Sequence, residues 1–124
     1  MNRRRLFLLV ALLLASCTDV GPVRGPGTFL ATLSSPNGDE GAAVLVLLGE
    51  GVVDVRGTGG TDAYAATSGE TTRVVLIKLP GGTLEFEVTV ADLGGPLSAL
   101  VQEVAGPDDE LRTDLSAYRV EFGR

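Results

Sequence analysis

The chain has 124 residues and a formal charge of −6, with no His, no Trp, one Cys and seventeen Gly. With no His, and its one Cys at the end of the N-terminal apolar run, it has no means for the usual Ser-His or Cys-His activation of a nucleophile. The acidic balance disfavours phosphate-backbone contacts, so nucleic acid is not expected as a partner.

Read from the N-terminus, Arg3, Arg4 and Arg5 precede the apolar run Leu6 to Leu14. Nine residues at ~1.5 Å each give a helix of roughly 14 Å, about half a bilayer core, which suits an export signal and not a lasting span. Ala15 and Ser16 are small, as a signal peptidase requires before its cut, and Cys17 follows. The quartet Leu14-Ala15-Ser16-Cys17 resembles the lipobox of bacterial lipoproteins. The resemblance implies a signal peptide over 1–16, cleavage between Ser16 and Cys17, a diacylglyceryl thioether on Cys17, and N-acylation of that residue. Thr18 rather than Asp follows the cysteine, which by the same resemblance favours the outer membrane of a diderm envelope. Several acyl chains at one site make attachment effectively permanent.

Loss of the three arginines leaves seven basic residues against sixteen acidic ones, a mature charge of −9. Residues 17–27, with two Gly-Pro steps and no periodicity, read as lipid anchor and tether, and 28–124 as one domain with one core. No thiol remains for a disulfide, so packing must supply the stability.

Within the domain, Phe29, Ala31 and Leu33 alternate with Thr32 and Ser34, and Ser35-Pro36-Asn37-Gly38-Asp39 is a turn. Ala43 to Leu48 is apolar throughout and ends at Gly49-Glu50-Gly51. Val53 and Val55 alternate with Asp54 and Arg56; Gly57-Thr58-Gly59-Gly60 is a connection, with a short strand near Ala63 to Ala66. The run Thr72 to Leu79 and the run Leu84 to Val90 are separated by Gly81-Gly82, which predicts a hairpin with a primed turn. Leu84, Phe86, Val88 and Val90 form its inward face. Leu97, Leu100, Val101 and Val104 fit either a helix after Pro96 or a strand, and the β-branched valines among strand neighbours favour the strand. Tyr118, Val120 and Phe122 alternate with Arg119 and Glu121 in a closing strand.

Short strands with Gly/Pro turns predict an all-β fold, a small antiparallel β-sandwich of seven to nine strands. The Leu84-to-Val90 strand, Leu100 to Val104 with Gly106-Pro107-Asp108-Asp109-Glu110-Leu111, and the Tyr118-to-Phe122 strand make this domain resemble the cohesin and carbohydrate-binding-module class of sandwiches. That resemblance implies the fold and no binding residue.

Candidate sites are few. Asp108-Asp109-Glu110 lacks the alternating acidic spacing and central Gly of an EF-type Ca²⁺ loop and reads as a solvated turn, as does Asp39-Glu40. Gly57-Thr58-Gly59-Gly60 lacks the helix and Lys of a phosphate cradle. Glu85 and Glu87 share one solvent face of a strand and form no catalytic pair. No metal or cofactor is expected. Tyr64 is a candidate for stacking on a sugar ring. The runs Ala43–Leu48 and Val74–Ile77 are apolar on both parities, beyond what a two-layer sandwich needs. Val44, Val46, Val74 and Leu76 are therefore the candidate interaction surface. The expectation is a non-enzymatic lipoprotein of the cell envelope that engages a protein partner, or alternatively a glycan, and touches the membrane through Cys17.

Since the acidic domain has no charge attraction to anionic head groups, Cys17→Ala should move the protein from the membrane pellet to the soluble fraction on cell fractionation. Continued pelleting would contradict the anchor.

Overall fold

The computed structural model describes residues 24–124; the expected signal peptide, its cleavage site at Ser16 and Cys17, the expected lipid anchor and the tether up to 23 lie outside the described residues. Eight strands follow one another: β1 (Gly27–Ser34), β2 (Glu40–Leu48), β3 (Val52–Thr58), β4 (Asp62–Ser68), β5 (Thr71–Gly82), β6 (Glu85–Val90), β7 (Ser98–Ala105) and β8 (Arg119–Gly123). They form two antiparallel sheets, ordered β3-β6-β1-β8 and β4-β5-β2-β7. The fold is an all-β sandwich of eight strands, within the range that the sequence predicts.

The alternation rule explains the core. On β6, Phe86 and Val88 are fully buried, with Leu84 just before and Val90 at the end; Ala31 and Leu33 on β1 lie beside them. From the facing sheet come Ala43, Leu45 and Leu47 of β2, Val74 and Leu76 of β5, and Val104 of β7. Each set sits at every second position, as strand geometry requires when one face meets a second sheet. Val120 and Phe122 of β8 pack on the margin, and Phe122 meets Phe29 edge to face at 6.2 Å. The segment after Pro96 is a strand, with Ala99, Val101 and Val104 inward and an extra residue at Gln102 where the register with β2 shifts.

Three expectations need correction. The Gly81-Gly82 hairpin does not exist: β5 continues through both glycines, and Gly82 pairs with Glu40 of β2. Both edges of β5 are taken, by β2 and β4, so the chain crosses at Thr83 to the opposite sheet, where β6 lies between β3 and β1. The hairpin of the fold is β4–β5, whose turn places Gly69 at φ +62° before Glu70. Secondly, Val53 does not share an inward face with Val55. A register shift between Val52 and Asp54 gives the core Val52 and Val55 and leaves Val53 67% exposed. Thirdly, the ordered domain begins before residue 28. Gly27 already pairs with Val90, and the amide of Gly25 donates to Asp92 Oδ1 at 3.0 Å. The amide of Gly94 donates to the same oxygen at 2.9 Å, and these two donors hold the Asp92 carboxyl below its ordinary pKa.

The edges are closed by close approaches. At one side β3 turns into β4 through Gly59 and Gly60, both in the left-handed region. A Cβ on Gly57 would lie 1.9 Å from the Thr61 carbonyl oxygen, so only glycine fits that corner. Thr61 is itself buried, and its hydroxyl accepts from the Glu85 amide at 3.2 Å, tying β4's start to β6.

Candidate interaction face

The two outer faces of the sandwich differ in chemistry. On β3-β6-β1-β8 the outward positions are mainly polar: Asp54, Arg56, Thr58, Glu85, Glu87, Thr89, Thr28, Thr32 and Glu121, with Leu30 among them. Arg56 pairs with Glu87 at 2.9 Å, and Thr28 and Thr89 share a hydrogen bond at 3.3 Å. Such pairs on exposed strands contribute little stability and keep the surface hydrated.

The outer face of β4-β5-β2-β7 is mainly apolar. Its rows follow from the registers. Asp62, Ile77, Ala42 and Ala105 form the first, and Tyr64, Val75, Val44 and Glu103 the second. Ala66, Arg73, Val46 and Leu100 form the third, and Ser68, Thr71, Leu48 and Ser98 the fourth. Leu100 is 56% exposed, Leu48 45% and Leu79, just beyond the first row, 76%; Val44, Val46, Val75 and Ile77 are half-buried by their neighbours alone. Two of the four predicted surface residues, Val44 and Val46, lie on this face. The other two do not: Val74 and Leu76 are fully buried core residues. The reason is register. Leu45 pairs with Val74 and Ala43 with Leu76, so the outward partners of Val44 and Val46 are Val75 and Arg73.

Tyr64 lies within the short strand expected near Ala63 to Ala66. It stands on edge strand β4, opposite Val75, with 61% of its surface exposed on the same face. The domain's other aromatic residues, Phe29, Phe86, Tyr118 and Phe122, all belong to the core or its margin, so Tyr64 is a single flat surface at the rim of an aliphatic field.

At the first row the face dips into a groove of about 290 Å³, lined by Gly41, Ala42, Ile77, Leu79, Ala105, Gly106, Pro107 and Asp109. Small residues make its floor. A Cβ on Gly41 would meet the Gly106 carbonyl oxygen at 2.7 Å, and one on Gly81 would meet Pro107 at 2.8 Å. The loop that walls the groove is the Asp108-Asp109-Glu110 turn. It is a tight reversal, with the Gly106 amide donating to the Glu110 carbonyl at 2.8 Å, and Asp109 adopts φ +65°.

Beneath that wall lies a polar pin that composition and periodicity did not reveal. Glu40, assigned from sequence to a solvated turn, is instead 1% exposed at the start of β2. One carboxylate oxygen accepts from Arg112 Nε and Nη2 at 3.0 and 2.9 Å; the other accepts from Ser35 Oγ at 2.8 Å and from the Tyr118 hydroxyl. Asn37 Nδ2 donates to the same hydroxyl at 2.8 Å. The Arg112 guanidinium is held above its ordinary pKa, chiefly by the Glu40 hydrogen bond. All three residues that donate to Glu40 come from the loops before β2 and β8, so one carboxylate fastens both to the groove end of the sheet. The only sequence signal was the coincidence of Glu, Arg and Tyr near turns, which carries no address.

Glu70 lies beside Glu50, and its interaction with this like-charged neighbour holds the Glu70 carboxyl above its ordinary value; both are exposed on turns at the far end of the same sheet. Among the described residues no three acidic side chains come together as metal ligands would. Gly57-Thr58-Gly59-Gly60 leads into strand β4 and offers no helix N-terminus to an anion.

Comparison with protein-family models, with curated proteins and with solved structures found no match to this chain.

Arg112→Ala would leave Glu40 as a buried carboxylate without its counter-charge, which costs about 3–5 kcal/mol. Tyr118→Phe removes one hydrogen bond to a charged group, about 1.5–3 kcal/mol. Urea titrations followed by circular dichroism should return losses in that order; equal, negligible losses would show that the pin does not hold the fold.

Proposed function

We propose that this chain is a lipid-anchored, extracytoplasmic β-sandwich without enzymatic activity, acting in the cell envelope by engaging a protein through the outer face of β4-β5-β2-β7. The observation that carries this reading is the contrast between two sheets of one small domain. One outer face bears charged pairs and threonines, and the other bears Val44, Val46, Leu48, Val75, Ile77 and Leu100 in adjoining rows. A contiguous apolar patch of that extent on an otherwise acidic surface marks a place that is covered in use. The Leu14-Ala15-Ser16-Cys17 quartet supports the anchor, and a tether over 18–24, reaching at most ~25 Å before Gly25 is held by Asp92, keeps the face near the bilayer and its proteins. The acidic surface supports the absence of a nucleic-acid partner.

The exposed Tyr64 ring on the same face favours a second reading, a module that binds glycans by stacking. A glycan array separates the two: binding abolished by Tyr64→Ala supports the sugar, and no binding leaves the protein interface.

A photo-reactive amino acid at position 46, activated in intact cells, should give a protein adduct, whereas the same group at Glu87 on the polar sheet should give none. Absence of any adduct at position 46 would overturn the reading.

A further inference from the structure

Resting on that reading, we propose that the occupant of the apolar face is a second copy of this chain, packed sheet against sheet about a twofold axis running along β2. The face carries two charged residues among its central rows. Arg73 on β5 and Glu103 on β7 flank β2, two strand spacings and one row apart, about 12 Å. Both are exposed, and among the described residues neither forms an ion pair. Each charge facing an unrelated apolar surface would be desolvated without a partner.

A twofold along β2 lays β5 of each copy over β7 of the other and preserves the rows. Arg73 of one copy is then offset by one row, about 7 Å along the strands, from Glu103 of the other, across a sheet spacing of about 10 Å that the two long side chains span together. The symmetry makes the pair twice. The same operation matches size with size. Ile77, a large side chain, meets Ala105 in the first row at the edge of the groove, and Val44 meets its own copy on the axis. An isologous interface needs this self-complementarity, with a cation and an anion on opposite sides of the axis.

The size is sufficient. Four strands about 4.8 Å apart and four rows about 7 Å apart span about 500 Å² per copy, or about 1,000 Å² for the pair, the lower bound for a specific interface. Confinement to one membrane by the tether raises the effective concentration and favours so modest an interface.

The test uses the full chain in intact cells. Val44→Cys treated with a short bis-maleimide should yield a covalent homodimer, and Ser68→Cys, at the rim of β4, should not. In the Val44→Cys chain, Arg73→Glu and Glu103→Arg should each lower the dimer yield at least fivefold, and the two together should restore it to at least half. No homodimer at position 44, or single reversals without effect, or no rescue by the double reversal, would overturn the second copy. In that event an adduct to a different protein from position 46 leaves the interaction face standing with another occupant. A Tyr64-dependent glycan signal points to the sugar instead. No adduct and no glycan signal overturn both proposals.

Discussion

The period of a β-strand is two, and this constraint governs the molecule. A strand whose residues are apolar at every position can bury one parity in its own core and must present the other outward. β2 lies inside its sheet between β5 and β7, and its inner parity, Ala43, Leu45 and Leu47, is indispensable to a core that contains no disulfide. Its outer parity, Ala42, Val44, Val46 and Leu48, is aliphatic without any need of the sandwich itself. β6 shows that the chain can do otherwise: it alternates Phe86 and Val88 inward with Glu85, Glu87 and Thr89 outward. The same domain therefore builds one sheet with a polar outer face and one with an apolar outer face.

What holds the apolar-faced sheet in place is a small set of close fits at its groove end. Gly57 and the buried Thr61 let β3 turn the corner into β4, so the edge bearing Tyr64 is joined to the polar sheet. At the opposite corner Glu40 collects Arg112, Tyr118 and Ser35, and through them fixes the loops that flank the groove. A buried carboxylate is costly unless every lone pair is used, and here the guanidinium and two hydroxyls use them. Burial of Glu40 thus ties the position of Pro107 and Asp109, on the groove wall, to the integrity of the fold.

Much of the fold was legible because the strands are strongly patterned and punctuated. Phe86 and Val88, Ala31 and Leu33, and the strand over Ser98–Ala105 lie where alternation and β-branching put them. Three kinds of feature were not legible. Gly81-Gly82 has the composition of a tight turn, but whether β5 and β6 pair depends on which strands occupy their edges, and that is a long-range property. The bulge at Val53 shifts alternation by one residue with no local signal in a valine pair. The outward set of β5 was mistaken because Val74, Val75, Leu76 and Ile77 are alike; only pairing with Leu45 and Ala43 assigns Val74 and Leu76 to the core. Of the candidate site, Val44, Val46 and Tyr64 were within reach of sequence. Arg73, Glu103, the groove and the Glu40 pin needed the registers and the tertiary fold.

The proposed anchor and the apolar face would complement each other physically. An acidic domain held to a membrane through Cys17 would have no charge attraction to the lipid surface, and its contact with the envelope would fall to the apolar sheet. The central claim is that this sheet is covered where the protein works. Methyl NMR of the chain in membrane-mimetic nanodiscs, with a soluble paramagnetic agent, reads that cover directly as loading rises. The account predicts that the methyl groups of Val44, Val46, Val75 and Ile77 become shielded at high loading while Leu30, on the outer face of the other sheet, stays open. Equal and unchanging relaxation of both sets would contradict it.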